Sequence, residues 1–433
     1  MGVRGKLICV LAAAAGAAGV ALLLRGWTAR PVEAQTLPVT VNLVYAYQNA
    51  QWNARVEETV RRFREVHPEI NVEYEIRYED AVYEDMLNKL AAREELGDVV
   101  QLKEPYGYAE SGLVAPLPGD LAALVTERCE LDGMTYAVAA LSATTGVVYD
   151  QALFQRYGLE PPENYGDFLS LCRRLKGLGI TPLGVGGKDL WHLEYWLNHF
   201  FRADVAAEVP DFLAQCAAGT RNWEDPLAGE MLAHLEELFR LGYVDEDWQS
   251  TPDSALAYQL AEGEVAMVYS GPWLAQAVEA LDPEGELGWF YLPDEEGNTV
   301  AGESLDVYWA VTASCAQDPE RYEAAVEFLR FFYDESVYPD TCATMAGYST
   351  RAEDEAPAVG ERSAFGQRVD RAYAAADGYT SVYVGDRDTP AGFEKRMLSL
   401  LRQLCAGEKT VTQVQGELQT AWEACVEQEA AYE

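Results

Sequence analysis

Residues 39–76 read VTVNLVYAYQNAQWNARVEETVRRFREVHPEINVEYEI. Val39, Val41, Leu43 and Tyr45 alternate with Thr40, Asn42 and Val44, and apolar residues occupy both parities near the end, the pattern of a buried strand. Val56, Val60 and Phe63 then recur at helical spacing until His67-Pro68, because proline cannot continue a helix. Ile70, Val72, Tyr74 and Ile76 alternate as a second strand. Strand, helix, strand predicts a right-handed parallel crossover. Ligands of open α/β sheets bind beyond the carboxyl ends of the strands, so the loop 45–52 is the expected place for a site.

Further along, Tyr83, Met86, Leu87 and Leu90 mark a helix, and Gly97 precedes a short apolar strand at 99–102 that runs into Lys103, Glu104 and Pro105. The α/β alternation continues. From Asp150 onward helices dominate, with apolar stripes at Phe168, Leu171, Leu175 and Leu178 and at Leu232, Leu235, Leu238 and Phe239. A strand at 307–311 leads to a helix carrying Ala324, Ala325, Phe328, Leu329 and Phe332, and two helices close the chain. There is no internal repeat, low-complexity tract or long linker, so chain segments are expected to interleave in one body.

The 433 residues carry 32 Lys+Arg against 71 Asp+Glu, a net charge of −39, with 49% hydrophobic and 11% aromatic residues. That apolar content is enough for a core, so general disorder is excluded. The acidic excess repels phosphate backbones, which excludes nucleic acid as the partner. Arg4 and Lys6 precede an apolar run from Leu7 to Leu24 closed by Arg25. Residues 1–34 are read as an export signal or N-terminal membrane anchor, with Val32 and Ala34 suited to cleavage after Ala34. The rest of the chain is thereby placed on the extracellular face of the membrane. Cys9 lacks the small preceding residue of a lipidation site. Beyond it stand Cys129, Cys172, Cys216, Cys315, Cys342, Cys405 and Cys425, an odd number without a C-x-x-C pair, which leaves one disulfide among the later ones open.

Reaction chemistry has little material. The four histidines are His67, His192, His199 and His234, without H-E-x-x-H spacing, so no metal site is expected. Gly184, Gly186 and Gly187 before Lys188 lack the phosphate-loop pattern, and no G-x-S-x-G elbow is present. No catalytic residue and no cofactor is expected. The informative set is aromatic: Tyr45, Tyr47, Trp52, Tyr106, Trp191, Trp273, Tyr308 and Trp309 fall near expected strand ends and loops, beside Gln48, Asn49, Glu104 and Asp306. Aromatic planes with planar polar side chains suit a sugar, which offers a flat C–H face and a rim of hydroxyls. Core packing is the simpler reading of each ring taken singly.

Several strings in order resemble the family 1 extracellular solute-binding proteins of ABC importers, the group that includes maltose-binding protein. They are FREVHPEINV at 63–72, ESGLVAPL at 110–117, DGMTY at 132–136, VYDQALF at 148–154, GITPL at 179–183, EGEVAM at 262–267 with SGPW at 270–273, and CAGEKTV at 405–411. The resemblance implies an α/β, two-lobed periplasmic-binding-protein-like fold (type II), its lobes joined by hinge crossings near Ala143, near 288–293 and near Asp334. One lobe would then comprise 35–143 plus 291–334, the other 144–290 plus 335–433. Trp273 matches the family's cleft-facing Gly-Pro-Trp tryptophan and Trp191 resembles a second cleft aromatic; Tyr47, Gln48, Trp52 and Glu104 fall in loops that contact ligand from the other lobe. Asp306 and Trp309 are expected beside them, and Phe393 near another family aromatic position. Departures are Asp98-Val99 without the intervening proline, a short 118–131 segment and the missing lipidated cysteine.

The implied function is capture of a carbohydrate, a small oligosaccharide or glycoside, by a monomer that docks on ABC permease transmembrane subunits without catalysing a reaction. The rivals are a binding protein of the same fold for a cationic or peptide ligand, a membrane-anchored sensory subunit, and a secreted carbohydrate-active enzyme.

Overall fold

Alternating β-branched and aromatic residues build the first sheet from the opening stretch. In the computed structural model, strand β1 (Val39–Tyr47) leads through helix α1 (Ala50–Val66) to β2 (Ile70–Glu79), followed by α2 (Asp80–Ala91) and β3 (Val99–Leu102). Short helices α3 (Pro105–Glu110) and α4 (Gly119–Ala122) precede β4 (Arg128–Leu131), β5 (Met134–Ala139) and β6 (Ala143–Asp150). Then come α5 (Gln151–Tyr157), α6 (Tyr165–Gly177), β7 (Thr181–Gly184), α7 (His192–Phe200) continued by a π-helical turn (Phe201–Ala206), α8 (Phe212–Ala217), α9 (Pro226–Arg240), α10 (Asp253–Ala261), β8 (Val265–Ser270) and α11 (Trp273–Leu281). The chain finishes with β9 (Leu287–Phe290), β10 (Val300–Ser304), β11 (Tyr308–Val311), α12 (Pro319–Phe332), α13 (Tyr338–Met345), α14 (Ala364–Ala375), β12 (Gly378–Thr380), α15 (Phe393–Cys405) and α16 (Val411–Ala430).

The structure describes residues 38–47, 50–304, 307–345, 347–352, 362–380, 382–385, 389–390, 392 and 393–430. Nearly all of them fall in the unit Thr40–Glu433. The apolar run at 7–24 and the cleavage point after Ala34 lie outside the described residues. Among those that are described, no helix is long and apolar enough to cross a membrane.

Two sheets organise the unit into two α/β lobes. The first has the order β2-β1-β3-β11-β5-β4, and β1 and β3 are parallel with Leu43 opposite Val99. Strand β11 enters antiparallel between β3 and β5, Tyr308 facing Leu102 on one side and Ala139 on the other. The second sheet has the order β12-β10-β6-β8-β7, with β9 also on β6. Tyr83, Leu87 and Leu90 of α2 pack on one face of the first sheet with Val44, Val100 and Leu102. On α1, the buried Phe63 meets Phe328 and Phe331 of α12 edge-on. The second sheet carries α6, α7, α9, α15 and α16 on one face and α10, α11 and α14 on the other.

The first connection between sheets is the short stretch 140–142 between β5 and β6. The other two differ from expectation. Strand β10 pairs with β6 and β12, so the chain stays with the second sheet through Ser304 and crosses only before β11, not at 288–293. Nor does it cross at Asp334. Val337 and Tyr338 are sealed, Tyr338 accepting from the Thr350 amide at 3.0 Å, and α13 packs on α1. Tyr348 exchanges backbone hydrogen bonds with Ser142, Thr350 Oγ1 donates to the Ala139 carbonyl at 2.8 Å, and the Ala352 amide donates to Leu124. Residues 335–345 and 347–352 therefore remain with the first sheet, and α14, packed on β9, is the first described element after them on the second. Buried anchors at Val337 and Tyr338 hold this segment back.

All seven cysteines beyond Cys9 are buried, and no disulfide joins any of them.

Candidate functional site

Strand β7 ends at Gly184, and the loop that follows is tight. A Cβ on Gly187 would lie 2.1 Å from the Trp248 ring and one on Gly186 2.8 Å from the Asp253 Cα, so only glycine fits at either place. The Lys188 amide donates to the Thr251 carbonyl at 3.0 Å, and the Asp253 amide to Asp189 Oδ2 at 2.8 Å. So held, the loop delivers Trp191 to the start of α7. Parallel to β7, strand β8 ends at Ser270-Gly271-Pro272, and Trp273 opens α11. Its ring folds back over Gly271, where a Cβ would meet it at 1.9 Å.

Tyr195, one turn into α7 from Trp191, joins the two tryptophans. Its ring lies 5.6 Å from Trp191, edge-on at 74°, and 6.3 Å from Trp273. Trp191 and Trp273 are each half-buried, whereas Tyr195 is 8% exposed. Behind this wall His192 is sealed, with Nδ1 accepting from the Gly186 amide at 3.4 Å and Nε2 3.7 Å from Asp253 Oδ1. Burial pushes its pKa down to about 3, so the imidazole is neutral and serves as a support for the loop. Arg202 donates to the Tyr269 hydroxyl at 3.2 Å, and Tyr269 stands 6.5 Å from Tyr195. The result is an aromatic wall at the carboxyl ends of two parallel strands.

The first lobe is arranged differently. Trp52 is sealed and lies flat on Trp309, ring centroids 6.1 Å apart at 18°, with Phe332 edge-on to Trp309 at 5.6 Å. Trp52 stands four residues before Val56 and shares its buried stripe on α1, while Trp309 is central in β11. Both expectations of ligand contact are corrected to core packing. So is Phe393: fully buried at the start of α15, it stacks on Trp223 at 5.4 Å and meets Trp422 at 5.1 Å. Glu104 is exposed at the carboxyl end of β3, at the N-cap position of α3. Tyr47 ends β1, its side chain outside what is described, and Gln48 and Asp306 lie outside the described residues.

Between the lobes, α1 and α13 of the first face α11 and residues 363–366 of the second across a crevice of about 450 Å³. Gln51, Arg55, Gln276 and Thr344 line it, and Gln276 Nε2 donates to the Thr344 carbonyl from lobe to lobe. Sequence reasoning missed Tyr195, Arg55 and Gln276. The i,i+4 spacing of Trp191 and Tyr195 was available as a signal, but no local pattern announces that α1 and α13 face α11. Among the described residues no group of three or more His, Cys, Asp or Glu side chains gathers as a metal ion requires.

Comparisons with known proteins agree with this architecture. An uncharacterized ABC transporter extracellular-binding protein of Pyrococcus horikoshii is 24% identical over 285 residues, 62% of this chain and 64% of the relative, so the match spans just under two thirds of that protein's length. The multiple sugar-binding protein of Streptococcus mutans is 20% identical over 68% of this chain and 73% of its own. Among solved structures, a chitin oligosaccharide binding protein superposes with a TM-score of 0.78 at 19% identity, covering 90% of this chain and 99% of the other. A family model described as bacterial extracellular solute-binding protein matches residues 45–338, more than half of the chain, and the protein belongs to that family.

Proposed function

We propose that the chain is the extracellular substrate-binding component of an ABC importer and that it holds a carbohydrate, a small oligosaccharide or glycoside, between its lobes. The observation that carries this reading is the half-open aromatic wall of Trp191, Tyr195 and Trp273 at the carboxyl ends of β7 and β8. Such rings offer flat apolar faces to a sugar's C–H groups, each gaining an amount of the order of the ~0.5 to 1.5 kcal/mol found for aromatic pairs. The relatives named for sugars point the same way.

The chain carries out no reaction in this reading. Contacts to both lobes favour the closed arrangement, and only that differential affinity drives closure. Closure then presents a changed outer surface to the permease transmembrane subunits. Glu104, with Gln48 and Asp306, completes the ligand's hydrogen bonds from the first lobe. The apolar segment at 7–24 anchors or exports the chain, which works as a monomer.

The test is a thermal-shift screen against mono- and oligosaccharides followed by calorimetry, since a ligand that prefers the folded state raises apparent stability by mass action. A saccharide that raises the melting temperature and is not consumed supports the proposal. Product formation, or binding of cations or peptides in place of sugars, overturns it.

A further inference from the structure

The crevice between α1 and α11 contains a guanidinium with much of its hydrogen-bonding capacity unused. Arg55 has an 11% exposed side chain, and its Nη1 stands 3.7 Å from Asp340 Oδ2, on a carboxylate that is itself 59% exposed. Its Nε and Nη2 are buried and, among the described residues, have no hydrogen-bond partner. These two atoms form one edge of the guanidinium, the parallel pair of donors that a carboxylate accepts in a bidentate fork. An unused fork out of water is costly, and an exposed carboxylate at 3.7 Å compensates little of that cost. Burial accordingly lowers the Arg55 pKa, Asp340 opposing the shift.

Two further features mark the crevice as a place for a ligand rather than a packing fault. Gln276 Oε1, contributed by the second lobe, is likewise buried without a partner among the described residues. Pro272, Ala275 and Gln276 line the crevice, and Pro272 directly precedes Trp273, which opens the same helix. The volume of about 450 Å³ accommodates a sugar ring with its substituent.

We propose that this crevice is a subsite for an acidic sugar unit, a uronate whose carboxylate takes the Nε and Nη2 edge of Arg55 while a ring hydroxyl donates to Gln276 Oε1. The inference rests on the saccharide reading above and narrows it to ligands with a carboxylate. Both lobes supply a group, so the acidic unit itself favours closure.

The test is calorimetric titration of the full chain with matched neutral and uronate-bearing di- to tetrasaccharides of the gluco, galacto, xylo and manno series. The expected result is at least one uronate-bearing member binding tenfold or more tightly than its neutral counterpart. In Arg55→Gln that preference falls below threefold while neutral affinity changes less than twofold. Asp340→Asn, at an exposed position that leaves Arg55 in place, strengthens uronate binding two- to fivefold. Equal binding of the paired ligands, or equal loss of both in Arg55→Gln, overturns the subsite and leaves the saccharide reading standing. Failure of both classes to bind overturns the saccharide reading and the subsite with it.

Discussion

The two lobes use their tryptophans in opposite ways. In the first, Trp52 and Trp309 lie flat on one another inside the layer between sheet and helices. In the second, Trp191 and Trp273 keep part of each ring open, with Tyr195 between them. The cause is where each ring leaves the backbone. Trp52 lies on the inward stripe of its helix and Trp309 in mid-strand, whereas Trp191 and Trp273 stand at the turn where a strand's carboxyl end becomes a helix. Proximity to a strand end in sequence is therefore not enough to make a ring available. It must also sit off the stripe that the helix buries.

The largest effect expected from this contrast is on stability. Trp52→Ala empties a sealed site against Trp309, and removal of a buried tryptophan costs about 3 to 5 kcal/mol. Urea unfolding measures it, and the molecules that remain folded should bind saccharide normally. Trp273→Ala is the reverse case. A half-open ring contributes less to the core, so the unfolding midpoint should move little, while affinity falls at least tenfold, about 1.4 kcal/mol. If the first variant lost affinity and the second only stability, the contrast between the lobes would be mistaken.

Acid should act on the second lobe in particular, because it holds three of the four histidines. His192 and His199 are buried and their pKa values are lowered by desolvation, His192 to about 3. Below the ordinary value near 6.5 the unfolded chain takes up protons that these folded imidazoles refuse, so stability falls as pH drops from 6.5 towards 3. Each such group adds a slope of about 1.4 kcal/mol per pH unit within its window. His234 has the opposite sign: the hydrogen bond to Asp204 at 2.8 Å raises its pKa, and its contribution is present below 6.5 and lost as pH rises through the folded value. His192→Gln should therefore flatten the decline measured between pH 6 and 4, and Asp204→Asn should leave that decline and remove a stabilisation seen near pH 6. A His192→Gln profile parallel to the parent's would refute the neutral, sealed imidazole.

The strand-helix-strand opening was readable because its periodicities are local: Val41 and Leu43 against Val56, Val60 and Phe63. The ring pair at Trp191 and Trp273 was reachable through its Gly-Gly and Gly-Pro neighbours, which the backbone requires for close approach. The second and third crossings were not readable. Thr350 ties its segment to the first sheet by donating to the Ala139 carbonyl, and β10 joins the second through Gly302 opposite Thr145, pairings made over long sequence separations. Arg55 was hidden for the same reason, since on α1 alone it is one more charge between Val56 and Trp52.

The smallest expected effect concerns sulfur. The first lobe seals Cys129, Cys315 and Cys342, the second Cys172, Cys216, Cys405 and Cys425, and no disulfide joins any of them. Desolvation raises the thiol pKa of Cys216 and Cys315 to about 12 and of Cys172 and Cys405 well above the ordinary value, so at neutral pH the nucleophilic thiolate is scarce as well as inaccessible. A reductant should thus leave the melting temperature within about 1 °C, because there is no cross-link whose loss would relax the unfolded chain. A thiol reagent should label none of these seven cysteines in the native protein and all of them in denaturant. A drop of several degrees on reduction would mean that at least two of these thiols meet as a disulfide, and the packing of whichever lobe holds them would have to be redrawn around it.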